Sequence, residues 1–239
     1  MKYIDIHSHI LPYIDDGSRD MDMTLEMLRI AQKEGITDMI VTPHYRAGRF
    51  KGDSAQIHKL LEEVRELLKR EDIPINLYPG TEIYYRSELD EKLEDGTLNT
   101  MNGTEYVLVE FSPLESFLYI RNAMEELMGM GYTPILAHAE RYQCMCKDIA
   151  NVRDLKKMGC DIQVNASSVT GDTGFMCKRF VHKLLKEGLV DYIGTDAHNT
   201  DSRKPAMKKC ADMLYKKYDR EYADELLYCN AAEKLLQRG

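Results

Sequence analysis

No apolar run in this chain approaches the ~18 residues that a membrane span needs, so membrane insertion is not expected. A basic excess is also lacking: 32 lysines and arginines face 40 aspartates and glutamates, for a net charge of -8. A general nucleic-acid binder shows the opposite balance, although local basic patches around a site remain compatible with this one. The N-terminus has no basic-then-apolar leader and enters a strand-like segment at once. Linkers, low-complexity stretches and short-period repeats are missing, so residues 1–239 read as one domain. Six cysteines supply a single close pair, Cys144-Met145-Cys146, with no obvious second pair at zinc-ligand spacing. They read as reduced thiols, which fits a cytoplasmic protein.

What is present is a regular alternation. Apolar residues make up 44% and charged residues 30% of the 239 positions, the mix and the length of one (β/α) barrel. Short apolar segments at Tyr3–Ile6, Asp38–Thr42, Ile75–Pro79, Tyr106–Glu110, Thr133–Ala137, Asp161–Val164 and Asp191–Gly194 predict parallel strands covered on both faces. Between them, Met21–Glu34, Asp53–Arg70, Glu115–Met130, Ile149–Met158 and Phe175–Glu187 predict helices, most of them stopped by a glycine. The segment after Pro205 reads as helical to the end, in more than one piece. This order predicts an α/β fold with a barrel-like sheet. An open doubly wound sheet would gather its ligands at one switch point. Here candidate ligands come from nearly every strand end, and a closed ring brings such ends to a common mouth.

Those strand ends carry the chemistry. His7-Ser8-His9 follows Tyr3-Ile4-Asp5-Ile6, and residues two apart on a strand leave the same face. Asp196-Ala197-His198 repeats the pattern. Between them lie Asp15-Asp16, His44, Glu82, Glu110 and His138. All are oxygen or imidazole ligands, a mixture that suits zinc, iron or manganese. Their number exceeds the need of one tetrahedral ion and would serve two or three if a carboxylate such as Glu82 bridges. His58 and His182 fall on helices and read as structural.

The ordered segments then resemble a known family. Asp5-Ile6-His7-Ser8-His9-Ile10-Leu11-Pro12 with Asp15-Asp16-Gly17 is similar to the opening motif of PHP (polymerase and histidinol phosphatase) domains, and more narrowly of the CpsB/YwqE-type bacterial tyrosine phosphatases. Thr42-Pro43-His44, Gly80-Thr81-Glu82, Val109-Glu110-Phe111, Ala137-His138-Ala139-Glu140-Arg141-Tyr142, Gln163-Val164-Asn165 and Thr195-Asp196-Ala197-His198-Asn199 follow in family order. The resemblance implies a distorted TIM-like (β/α)7 barrel with three divalent ions, manganese foremost, with iron or zinc as alternatives. His7, His9, Glu82 and Asp196 would hold the first ion. Glu82, Glu110 and His138 would hold the second, and Asp16, His44 and His198 the third.

Such a centre implies phosphoester chemistry. Three ions bring roughly six positive charges, and four carboxylates with a bridging hydroxide remove roughly five, leaving a field that favours a phosphate dianion. A metal-bridging hydroxide would attack phosphorus, while Arg141 and Arg203 hold the non-bridging oxygens. No Cys-x5-Arg loop of a thiol phosphatase surrounds any cysteine. Tyr45-Arg46, Arg49-Phe50-Lys51, Tyr84-Tyr85-Arg86 and Arg141-Tyr142 offer aromatics with cations that would flank a phosphorylated ring. The resemblance further implies a phosphotyrosine-containing protein as substrate, a bacterial tyrosine kinase controlling capsule or exopolysaccharide synthesis. A histidinol-phosphate phosphatase, an amidohydrolase-like enzyme and a non-catalytic kinase-binding regulator are the rival readings. Nothing in the helical stripes fixes an oligomeric state.

Overall fold

A computed structural model of the protein describes residues 2–86 and 89–237. Strands and helices alternate as β1 (Tyr3–Ser8), α1 (Met21–Lys33), β2 (Ile36–Val41), β3 (His44–Arg46), β4 (Phe50–Lys51), α2 (Ser54–Arg70), β5 (Asn76–Pro79), β6 (Glu82–Tyr84) and α3 (Asp90–Glu94). They continue as β7 (Tyr106–Glu110), α4 (Phe117–Gly129), β8 (Thr133–Leu136), α5 (Gln143–Lys147), α6 (Ala150–Met158), β9 (Asp161–Asn165), α7 (Ala166–Thr170), α8 (Phe175–Lys186), β10 (Tyr192–Gly194), α9 (Lys208–Lys217) and α10 (Arg220–Asp224). Two short π-helical turns, Glu225–Cys229 and Ala231–Leu235, follow. Each of the seven expected strands and five expected helices is present, with no end shifted by more than two residues. Side chains of Asp20, Asp53 and Ser116 cap α1, α2 and α4 by accepting a backbone N–H.

Hydrogen bonding sorts the strands into a sheet β1-β2-β5 and a sheet β10-β9-β8-β7-β6-β3-β4. Two of the staves are broken, which the sequence reading did not anticipate. β2 runs through Thr42-Pro43 into β3, where the proline offers no N–H to the ladder. β5 runs through Gly80-Thr81 into β6. Thr42 N–H to Ser8 O at 2.8 Å and Glu82 N–H to Pro43 O at 3.1 Å keep the broken halves aligned. Counted this way, seven parallel staves surround a common axis, with β4 as an antiparallel flap on β3.

Continuous pairing does not close the ring between β10 and β1. They meet at a bridge between Ser8 and Ala197, reinforced by Asp196 N–H to His7 O and His9 N–H to Ala197 O, both 2.8 Å. The fold is the expected distorted (β/α)7 barrel, stitched at this seam only near its C-terminal mouth. The interior is filled by Ile4, Ile6, Ile40, Leu108, Ile135 and Tyr192, and the last turn plugs it with Ala231, Ala232 and Leu235. A larger apolar layer lies between the strands and the helices. No helix among the described residues is long and apolar enough to cross a membrane.

Candidate metal centre

His7 and His9 leave the end of β1 where its register against β2 slips, between Asp5 and Ser8. Their Nε2 atoms come within 3.2 Å of each other. Glu82 Oε2 lies 3.1 Å from the first and 3.2 Å from the second, and Asp196 Oδ1 lies 3.6 and 3.5 Å from them. All four residues are fully or almost fully buried. Four such groups within 4.8 Å of one another form a ready ligand set.

Strand register builds the second part. His44 and Glu82 are direct partners on β3 and β6. His44 Nδ1 approaches Glu82 Oε2 at 3.0 Å and Glu110 Oε1 at 3.1 Å. Neither contact has hydrogen-bond geometry, and His44 Nδ1 and Glu82 Oε2 are buried without a partner. The atoms converge on the space between them rather than on each other. His138 Nε2 adds a bond to Glu82 Oε1 at 2.8 Å and lies 3.8 Å from Glu110 Oε2. On the outer side His9, His44 and His198 form a third group, with Asp16 Oδ1 at 3.5 Å from His44 Nε2 and 3.6 Å from His198 Nε2.

Supporting residues fix the rings. Asp15, adjacent to Asp16, turns inward: its Oδ2 accepts His9 Nδ1–H at 2.7 Å and His44 N–H at 2.9 Å. Asp16, not Asp15, therefore faces the open end of the cluster. His7 Nδ1 bonds Gln163 Oε1 at 3.1 Å. His138 N–H donates to the same oxygen at 2.7 Å, which sets the amide orientation because a backbone N–H can only donate. Gln163 Nε2 then donates to Asn165 Oδ1, and Asn165 Nδ2 to Asp196 Oδ2 at 3.0 Å. Gln163, Asn165 and Glu140, whose Oε1 accepts Asn165 N–H at 2.9 Å, are supports to which sequence reasoning gave no role, and Asp15, read there beside Asp16 as a candidate ligand, is a support as well. An amide two residues from another on a buried strand was the available signal. His138 and Asp196 hold left-handed backbone angles, φ 34° and 53°, a cost of the order of 1–3 kcal/mol that structures retain at functional positions.

Electrostatics agree with a cation site. For Glu82 and Asp196 burial works against ionisation, yet both are held well below the usual carboxylate range by the surrounding imidazoles, and for Asp196 also by Arg141. Burial likewise disfavours charge on His7 and His9, and is outweighed by Glu82 and Asp196 in one case and by Asp15 in the other. Their outward Nδ1–H groups are committed, so the inward Nε2 is the atom that binds either a proton or a metal ion. Burial pushes His198 down to about 4, and its Nδ1–H donates to Asp196 O at 3.0 Å. Its unpartnered Nε2 thus presents a lone pair toward Asp16. These donors fit divalent metal ions.

Both expected arginines reach Asp196: Arg141 Nη2 to Oδ2 at 2.5 Å and Arg203 Nη2 to Oδ1 at 2.7 Å. They line a cavity of about 300 Å³ beside the cluster, together with Asn165 and Thr195. The aromatic rim needs correction. Tyr45, Tyr85 and Tyr142 are core residues, 6%, 4% and 0% exposed, and the last two pack against the Phe111 ring. The half-buried pair that remains is Tyr84, under Arg46 at 4.3 Å, and Phe50, under Arg49 at 4.8 Å and stacked on His44. His58 and His182 stay outside the cluster, the latter bonded to Tyr218 OH at 2.9 Å. Cys144 and Cys146 are free thiols.

A parallel α/β barrel with imidazoles and carboxylates gathered at the C-terminal ends of its strands defines a metal-binding barrel of the hydrolase type. The histidinol phosphate phosphatase of Lactococcus lactis shares this fold, with a TM-score of 0.59 at 14% identity over 91% of this chain and 95% of that one. The likeness narrows further: the chain belongs to the family described as capsular polysaccharide synthesis, CpsB/CapC, which matches residues 3–237. It is 32% identical to the tyrosine-protein phosphatase CpsB of Streptococcus pneumoniae, over 98% of this chain and 99% of that protein. To the tyrosine-protein phosphatase YwqE of Bacillus subtilis it is also 32% identical, over 94% and 87%. A crystal structure from work on these two proteins, described as unique metal-dependent tyrosine phosphatases, matches with a TM-score of 0.92, covering 98% of this chain and 94% of that one.

Proposed function

We propose that this chain, an enzyme of the metal-dependent protein-tyrosine phosphatase class, holds three divalent ions and hydrolyses phosphotyrosine on a bacterial tyrosine kinase that governs capsule or exopolysaccharide synthesis. The observation that carries the reading is the convergence of His7, His9, Glu82 and Asp196 on one buried point. Glu82 supports a shared role, since its two oxygens face four different imidazoles. His7, His9, Glu82 and Asp196 would hold one ion, Glu82, Glu110 and His138 a second, and Asp16, His44 and His198 a third. Ions bound there acidify water and neutralise phosphate charge. The protein's own contribution is orientation and charge. Asp15 and Gln163 fix the rings of His9 and His7. Arg141 and Arg203 stand at the mouth, where a guanidinium fork meets two phosphate oxygens. Tyr84 and Phe50 form the rim against which a phenyl ring would rest.

The six free thiols fit a reducing, cytoplasmic location, and manganese is the preferred metal. Metal analysis of freshly purified protein, with turnover of a phosphotyrosyl peptide before and after chelation, tests the proposal. Fewer than two ions per chain together with chelator-resistant turnover would refute it. The fold shared with a histidinol phosphate phosphatase motivates one rival, and faster hydrolysis of histidinol phosphate than of the peptide would favour it.

A further inference from the structure

A cavity of about 990 Å³ opens on the helical side of the barrel, between α5, α8 and the end of α9. Its size is at the upper limit for a small-ligand pocket. Ile149, Met176, Cys177, Phe180 and Tyr218 give it an apolar floor. Met176 is 72% exposed, and its neighbour Phe175 75%, a high value for side chains of this size side by side.

Lys147, Arg179, Lys183, Lys186 and Lys217 surround the opening. Arg179, Lys183 and Lys186 recur at helical spacing on α8, while Lys147 comes from α5 and Lys217 from α9. The cluster is thus assembled from three elements and is not the solvated face of one helix. Among the described residues none of the five makes an ion pair, whereas Arg153, Lys156, Lys209 and Lys234 are each paired. In a chain of net charge -8, this is a local reversal of sign at the lip of an apolar groove.

Acidic side chains for the rim and apolar side chains for the floor are together the features of an acidic peptide with apolar anchors.

We propose that this groove docks an acidic peptide segment anchored by apolar side chains. The groove is lined by none of the candidate metal ligands, and docking there does not depend on the reaction proposed above. The test is fluorescence anisotropy with a fluorescein-labelled octapeptide alternating glutamate and leucine. Saturable binding that weakens with added salt is expected. Arg179→Glu with Lys183→Glu should weaken it at least ~10-fold, as should Phe180→Ser. Lys217→Glu, on a different helix, should weaken it too, which guards against a misfolded α8. Hydrolysis of p-nitrophenyl phosphate should be unchanged in all of them. The proposal is overturned if the peptide does not saturate, if the charge-reversed proteins bind it equally, or if an all-glutamate octapeptide or a labelled oligothymidylate binds as tightly.

Discussion

Arg203 donates from Nη2 to Asp196 Oδ1 at 2.7 Å, and the same oxygen faces His7 and His9 Nε2 at 3.6 and 3.5 Å and His198 Nδ1 at 3.5 Å. One carboxylate oxygen therefore serves a guanidinium and three imidazoles. A cation held by that oxygen would compete with Arg203 and would leave its fork free for a phosphate. Arg203→Ala should lower kcat/KM for a phosphate monoester by about 100-fold while bound metal is undiminished. Metal analysis beside steady-state kinetics checks this, and loss of metal in the variant would make Arg203 a structural support only.

Asp15 and Asp16 should separate by function. Asp15→Asn removes the carboxylate that orients His9 and His44, and metal affinity should fall about 10–100-fold. Asp16→Asn removes the charge facing His44 and His198, so the loss should be confined to one ion of the set. Titration calorimetry with manganese distinguishes a general weakening from the loss of one site.

Chelation and alkylation should have opposite outcomes. No cysteine belongs to the candidate ligand groups, and burial pushes Cys160 up to about 12, which leaves it inert. A strong chelator should abolish turnover, whereas iodoacetamide should leave it intact. Inactivation by the alkylator, with metal content unchanged, would point to thiol chemistry.

Gly194 closes the seam beside the cluster. A Cβ added there would stand 2.7 Å from His7 Cβ and 2.9 Å from Gln163 Nε2. Gly194→Ala should destabilise the protein by about 1–3 kcal/mol and displace His7, so thermal melts and metal content should fall together.

The pH dependence of stability follows from His44. Burial works against its charge, but Glu82 and Glu110 outweigh it and raise its pKa from 6.5 to about 10. A raised folded value means the native state binds this proton more tightly. In chelated protein the contribution is complete below about 6.5 and is lost as pH rises through about 10. Melting temperatures of chelated protein should fall across that window, and the decline should flatten in His44→Gln. A divalent ion held by His44 would have to displace the same proton, so manganese affinity should rise over the same range.

Much of the barrel was legible because strand and helix signals are local. Tyr3–Ile6 and Asp161–Val164 are short apolar runs, and Gly35 and Gly159 stop the helices beside them. The breaks at Thr42-Pro43 and Gly80-Thr81 were not, because a proline or glycine inside a strand reads equally well as its end. His7, His9, His44, Glu82, Glu110, His138, Asp196 and His198 stood out because each follows an apolar run. Tyr45, Tyr85 and Tyr142 were misplaced at the rim because burial depends on what packs from elsewhere in the chain.

The sequence by itself determined the order of strands and helices and the set of imidazoles and carboxylates at their ends, since both are written in residues close along the chain. Tertiary structure alone decided that Asp16 rather than Asp15 faces outward, that Gln163 and Asn165 link His7 to Asp196, and that five cations from three helices, without an ion pair among the described residues, ring one groove. Those relationships join residues far apart in the chain, and only the closing of the barrel sets the distances between them.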